Sequence, residues 1–510
     1  MRNNFKFIQS VRVIALACFW ASSSWGYSPG FVRAELDIQK EAAGIVTDSK
    51  DSTQRLILSL EAQGSFTSGN KVPFWMQSNR FGSVPLDGLS SGWIGRLEKP
   101  YTRKNKFDWS AGVEGRLNAG NKVEGILTEA YIKARLGIFE LKAGRTKDQM
   151  GLTDSTLSAG AFAVSGNALG LPKVELAIPE FWTVPIWEGI FAFKGNFAFG
   201  TIGYTPLVAG STKNFIGTDI AGVKSLYQQK SFYGRLGKAH WPVKFYAGFN
   251  HQTVYGNEAK IYNRFNLNKI ESFLYAFSGK TWESFNGSTT KLGNQLGSID
   301  FGLTYDLKSV TLFAYRQQIY DVGALAYLAN VRDGLTGLSL TNKSDKPVRW
   351  TKILFEVLYT KNQAGETWSR PVPSGDEAYY NNFMYQNGWS YKGRGIGNPF
   401  ITPRHQGRDG LAFTDGEYFL NNRVVAFHTG LEALIKSTSV RLKLSYSKNY
   451  GTYLTEKDFG KLNQFSGYVE LNRILQNNWQ VGISTAIDSG QLLYNSVGVM
   501  ASVRKTLVFR

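Results

Sequence analysis

The sequence predicts an all-β fold, a transmembrane antiparallel β-barrel of about 18 strands, and three observations carry that prediction. The last stretch, Asn495 to Arg510 (NSVGVMASVRKTLVFR), alternates apolar Val497, Val499, Val503, Leu507 and Phe509 with small or polar Gly498, Ser502, Arg504 and Thr506. Successive strand side chains point to opposite faces, so such a segment wants an apolar medium on one side and a wetter one on the other. Comparable segments recur along the chain, and joining the last to the first leaves no unpaired edge. Composition agrees: aromatics are 14% of 510 residues, Gly is 54, and mean hydropathy is only −0.23. No internal run offers the ~18 consecutive apolar residues of a membrane helix.

The N-terminus reads as an export signal over residues 1–26. Arg2, Lys6 and Arg12 form a basic region, Val13 to Ala21 an apolar one, and Ser22 to Gly26 offer small residues for cleavage. A buried N-terminal helix is the alternative. The single cysteine, Cys18, lies inside this segment; Ala15, Leu16 and Ala17 precede it rather than the leucine three residues upstream that a lipoprotein signal needs. Cleavage at Gly26 leaves no thiol chemistry. The formal charge of +19 becomes +16 without the three basic residues of the signal. Such an excess serves an anionic polysaccharide or lipid phosphates, or lines a polar lumen; export disfavours nucleic acid.

Residues 27–53 form a polar lead-in with a short potential helix at Ala34 to Ala43, and residues 54–510 the barrel. Leu56, Leu58, Leu60, Ala62 and Phe66 share one face of the first strand, opposite Ser59, Glu61, Gln63 and Ser65. Trp109 to Leu117 alternates in the same way, and Asn118 to Asn121 turns it into Val123 to Leu136. Further pairs are Ser298–Leu307 with Val310–Gln318, Val424–Ile435 with Thr438–Lys448, and Gln464–Arg473 with Gln480–Ile487. Candidate strands number about 16 to 19, and closure with both termini at one end favours an even number.

Three long connections interrupt the pattern: Thr67 to Lys106, Thr146 to Pro172 and Asn362 to Asn421. Connections of this length are either functional or disordered, and the aromatic and glycine content of the third argues for order. At these connections lie PFWMQSNRFG (Pro73 to Gly82), GRTKDQMGLTDSTLSAGAFAVSGNALGLPKVELAIPEF (Gly144 to Phe181, spanning the second and its flanks) and GWSYKGRGIGNPFITP (Gly388 to Pro403). Through these stretches the chain resembles the outer-membrane capsule-assembly family named Wzi, in its Bacteroides-type form. The resemblance implies an outer-membrane barrel of about eighteen strands that holds capsular or exopolysaccharide at the cell surface as a lectin, not an enzyme. Enterobacterial members of the family place a helical bundle before the barrel as a periplasmic plug, and Tyr27 to Ser52 is too short for one. Either part of Gly151 to Leu171 folds inward instead, or there is no plug.

A polysaccharide site needs aromatic faces for sugar rings, amides for hydroxyls, and guanidinium groups for uronate or pyruvate carboxylates. The third connection supplies Tyr379, Tyr380, Asn381, Asn382, Trp389, Tyr391, Lys392, Arg394, Asn398 and Arg404, and the first supplies Trp75, Gln77, Asn79 and Arg80. From these the candidate carbohydrate-binding set is Trp75, Asn79, Arg80, Arg145, Tyr379, Tyr380, Trp389, Tyr391, Arg394, Asn398 and Arg404. Each of these aromatics could instead pack a loop or an interface. Arg145 points into the lumen or makes a salt bridge with Asp148 or Asp154. Asp154, Ser155 and Thr156 lack a positioned base, since His240, His251, His405 and His428 lie in no catalytic motif. No metal-ligand spacing or dinucleotide fingerprint occurs, and Gly393, Gly395 and Gly397 read as tight-turn glycines. The leading expectation is a monomeric polysaccharide-binding barrel without cofactor or catalytic residues, in contact with outer-membrane lipid. The alternative is a diffusion channel for anionic or hydrophobic small molecules; an outer-membrane hydrolase has the least support.

Overall fold

The computed structural model describes residues 55–102, 106–262, 267–283, 289–321, 323–365 and 377–509. The expected signal peptide, Cys18, the lead-in with Ala34–Ala43, and Arg510 lie outside the described residues.

Among the described residues, eighteen strands form one closed antiparallel barrel. They are β1 (Leu56–Thr67), β2 (Ser90–Lys99), β3 (Phe107–Ala119), β4 (Val123–Leu136), β5 (Phe139–Arg145) and β6 (Lys173–Thr183). Next come β7 (Phe191–Pro206), β8 (Gly222–Leu236), β9 (Val243–Tyr255), β10 (Asn294–Asp306), β11 (Val310–Tyr320) and β12 (Gly334–Asn342). The circuit ends with β13 (Val348–Tyr359), β14 (Val424–Ile435), β15 (Thr438–Asn449), β16 (Leu462–Ile474), β17 (Trp479–Gly490) and β18 (Ser496–Phe509). Each strand pairs with its predecessor, and β18 closes on β1 in a register running from Leu56 opposite Phe509 to Thr67 opposite Gly498. Closure satisfies every strand edge internally, which an open sheet in an apolar medium cannot do.

The alternation reads out as two surfaces. Leu60, Phe66, Val499, Val503 and Phe509 are exposed on the outside of the closing pair, while Glu61, Ser65 and Thr67 are buried inside. Trp93, Val113, Leu141, Val174, Phe301 and Ile483 extend this outward apolar belt around the barrel. Several inward charges are matched in sign. Arg96 meets Glu98 at 3.1 Å, Glu114 at 3.2 Å and Glu129 at 3.0 Å. Arg441 bridges Glu432 at 2.7 Å and Glu470 at 3.2 Å. Not every inward base has an acid: Lys443 lies 4.8 Å from the Trp75 ring centroid, and Arg116 donates to Asn118 at 2.6 Å.

The structure corrects the first long connection. Its second part is β2, which leaves a shorter insert of residues 68–89. In SSGWIGRLEK, glycines and charges dilute the alternation, and on its outward face only Trp93 and Leu97 are large exposed apolar residues. The remaining inserts, residues 146–172 between β5 and β6 and 360–423 between β13 and β14, emerge from the same barrel end. All three fold into the lumen and pack on one another: Phe162, Ala163, Tyr379, Tyr380, Trp389 and Phe419 share one buried cluster, and Phe74 and Trp75 share another with Ala159 and Phe400. Of the two possibilities for Gly151 to Leu171, the inward one is observed.

Candidate functional site: the plug and its solvent face

The inserts carry little regular secondary structure, so their backbone groups need partners from elsewhere. Inward side chains of the wall supply them. Asp300 on β10 accepts from Leu152 N at 2.8 Å. Glu356 on β13 accepts from Ala159 N at 2.6 Å and Ser158 Oγ at 2.7 Å. Asp488 on β17 accepts from Phe74 N at 2.7 Å. Two inserts are also tied by a relay through the wall. Trp75 Nε1 donates to Ser445 Oγ at 2.9 Å, Ser445 lies 2.8 Å from His428 Nδ1, and His428 Nε2 lies 2.8 Å from the Leu157 carbonyl. A carbonyl only accepts, so Nε2 carries the proton and Nδ1 accepts from the serine.

The acids of the second insert are held by lysines. Burial works to raise Asp148, but the ammonium groups of Lys173 (2.7 Å) and Lys142 (3.1 Å) outweigh it and hold the carboxyl well below its usual range. Burial likewise opposes ionisation of Asp154. Lys352 at 3.0 Å and the amides of Leu157 and Thr156 prevail, and its pKa is lowered. Asp154 therefore caps a turn. Neither acid pairs with Arg145, which instead donates to the Leu127 carbonyl at 2.8 Å and to Tyr391 Oη at 2.9 Å, so the salt-bridge alternative gives way to a brace to the third insert.

Most of the residues expected to contact sugar are buried within the plug. Trp389 is fully buried and donates Nε1 to the Ala163 carbonyl at 2.7 Å. Tyr380, equally buried, donates to the Phe162 carbonyl and accepts from Asn398 N at 2.7 Å. Asn398 donates to the Gly160 carbonyl. Tyr379 donates to Asp333 at 2.7 Å. Asn79 Nδ2 reaches the Ala159 carbonyl at 2.9 Å, and the Trp75 ring packs tilted on His428 with centroids 4.8 Å apart. Arg394 is buried between Gln77 Oε1 and the Val84 carbonyl at 2.5 Å; burial lowers its guanidinium to about 10, so it stays cationic at neutral pH. Arg80 reaches Tyr468 and Glu470 on β16. In this arrangement these side chains bind one insert to another or to the wall.

The glycines of GRGIGNP divide in role. Lys392 and Gly393, with φ of 49° and 79°, form the tip of the Ser390–Tyr391/Arg394–Gly395 hairpin, a turn that needs two left-handed residues. Gly397 is required for close approach instead, because a Cβ there would overlap the Phe162 carbonyl.

Arg404 is the one candidate that is plainly solvent-exposed. Its guanidinium lies 3.1 Å from the centroid of Phe413, and Asp415 is 3.9 Å away. Beside it, exposed His405 packs its ring 5.8 Å from Tyr418, and the hairpin tip at Lys392 is exposed. His405 faces the Gly393 carbonyl; burial, then the charges of Arg394 and Lys71, lower its pKa. Residues from three parts of the third insert thus place the cations of Arg404 and Lys392, the imidazole of His405 and the ring of Phe413 on the solvent side of the plug, with Tyr418 half-buried behind them. Phe413, His405 and Tyr418 were not distinguishable in the sequence, because nothing local marks which aromatics of a folded insert stay outside.

No family model matches the chain, and no curated protein matches it by sequence. Among solved structures it is similar to Wzi of Escherichia coli, described as an outer membrane protein involved in group 1 capsule assembly and a carbohydrate-binding β-barrel. The identity is 12% and the TM-score 0.55, over 94% of this chain and 89% of that one. The likeness is one of fold. OccK5 (OpdH) of Pseudomonas aeruginosa follows at 10% identity and TM-score 0.46, over 90% and 98% of the two chains. OpdQ of the same organism gives 10% and 0.43, over 90% and 99%.

Proposed function

We propose that the chain is an outer-membrane barrel of the Wzi type that binds anionic capsular or exopolysaccharide at the cell surface and retains it there as a lectin. The observation that carries this reading is a plug of three inserts latched to the wall inside the barrel, with Arg404, Phe413, His405 and Lys392 on its solvent side. A guanidinium over a ring presents an apolar face for a sugar and a fork for a carboxylate, the pairing an acidic polysaccharide needs. The outward apolar belt supports the membrane location, and the fold likeness to a carbohydrate-binding barrel supports the ligand class. A plugged lumen argues against the alternative of an open diffusion channel.

Surface plasmon resonance against the organism's own capsular polysaccharide tests the site. Arg404→Ala with Phe413→Ala is expected to weaken binding about tenfold, a loss of ~1.4 kcal/mol, while the folded barrel's heat-shifted gel mobility is unchanged. Unaltered affinity in that double variant removes the site. Porin-like conductance of the wild type in planar bilayers would favour the channel.

A further inference from the structure

The connection between β9 and β10 contains a ten-residue helix, Lys269–Ser278, that lies on the outside of the barrel. Asn268 accepts from Ile270 N and Glu271 N, and Glu271 returns a bond to Asn268 N at 2.9 Å, a closed capping box. The strand faces establish where it docks. Phe249 and Ile299 are cross-strand partners on β9 and β10, both 40% exposed and therefore outward. The next outward positions toward the insert end are His251 and Gly297, then Thr253 and Gln295. His251, Thr253 and Gln295 are buried although they face outward, because the helix covers them: Thr253 Oγ1 donates to the Ala276 carbonyl at 3.3 Å. Phe273 and Phe277 pack on Phe197 of β7, with ring centroids 6.2 Å and 5.8 Å away.

The helix thus replaces a polar row of wall by an apolar one. Ile270, Leu274 and Phe277, spaced to form one stripe, remain 72%, 53% and 41% exposed. This stripe continues the outward belt one level higher, beyond Phe249 and Ile299. Cations flank it: Lys269 and Lys280 are exposed, and Lys230 Nζ lies 4.3 Å from the Phe277 ring centroid. The helix's own acid, Glu271, is occupied by the capping box.

Resting on the reading of the chain as an outer-membrane barrel whose insert end faces the cell exterior, we propose that the helix Lys269–Ser278 is a binding seat for one phosphorylated glycolipid of the outer leaflet. An acyl chain lies along Ile270, Leu274 and Phe277, and the headgroup phosphates meet the flanking ammonium groups, Lys230 beside Phe277 and Lys269 at the start of the helix. Continuity with the apolar belt selects lipid over a soluble partner, and the lysines that flank the stripe select an anionic headgroup.

Native mass spectrometry of the purified full-length barrel titrated with lipid A tests this. Wild type is expected to hold one lipid A that survives detergent exchange. Ile270→Asn with Leu274→Asn, and separately Lys230→Gln with Lys269→Gln, are expected to lower occupancy at least threefold with unchanged heat-shifted mobility. Dephosphorylated lipid A is expected to bind the wild type no better than lipid A binds the lysine variant. Equal occupancy in wild type and both variants overturns the proposal, as does a wild-type dimer that the Ile270/Leu274 variant dissociates, since a second copy would then cover the stripe. Absence of the wild-type chain from the outer-membrane fraction would overturn the membrane reading itself.

Discussion

Buried carboxyl groups aimed at backbone amides recur through the plug, and Asp333 shows their chemistry most clearly. It is fully buried and accepts from Asn362 N at 2.9 Å, Gln363 N at 2.7 Å and Tyr379 Oη at 2.7 Å. Burial outweighs those bonds and, with the nearby Glu377, raises its pKa to about 6, against ~3.9 for a free aspartate. The folded state therefore binds the proton more tightly than the unfolded one. The associated stability is fully present below about pH 4 and is lost as pH rises through 6. Thermal midpoints are expected to fall between pH 4.5 and 7.5, and Asp333→Asn should shrink that fall. It should not abolish it, because burial and Glu377 push Asp321 well up, and burial raises Glu417 to about 7. An unchanged difference in Asp333→Asn would exclude this role. At this scale the sequence was legible in chemistry and not in place: Trp389 and Tyr380 carry the apolar body and polar tip that suit a sugar, and the same combination suits a buried loop carbonyl.

Strands and inserts differ in how they are specified. The boundaries of β4 and β14 follow from residue alternation alone, because a period of two survives any tertiary context that keeps one face apolar. In contrast β2 was hidden, since Gly92, Gly95, Arg96 and Glu98 leave too few apolar positions to establish a period. The inserts have no period; the wall acids define their path. Removing Glu356 strands the Ser158 hydroxyl and the Ala159 amide, at ~1–3 kcal/mol for each buried unsatisfied donor. Glu356→Ala, alone or with Asp300→Ala, is therefore expected to loosen the second insert and produce bursts of conductance in planar bilayers above the wild-type baseline. Traces identical to wild type in the double variant would show that other contacts hold the plug.

At the scale of the whole molecule, closure depends on the last few residues. Deleting Leu507 onward removes the pairings of Leu56 with Phe509, Ile57 with Val508 and Leu58 with Leu507. The shortened chain is expected to lose the heat-shifted mobility of a folded barrel, and normal assembly would contradict this view of the seam. The sequence by itself determined the barrel, its apolar outside, the partnership of its first and last strands, and which connections are unusual. These depend on a local alternation and on the need to pair every edge. Only the tertiary structure decided that the three inserts fold into the lumen, that Trp389 and Arg394 are buried while Arg404 and Phe413 face solvent, and that the helix Lys269–Ser278 covers the outer wall. Those outcomes rest on partners far apart in sequence, such as Glu356 with Ala159 and Arg394 with Gln77, and no local pattern encodes which distant acceptor a loop donor will meet.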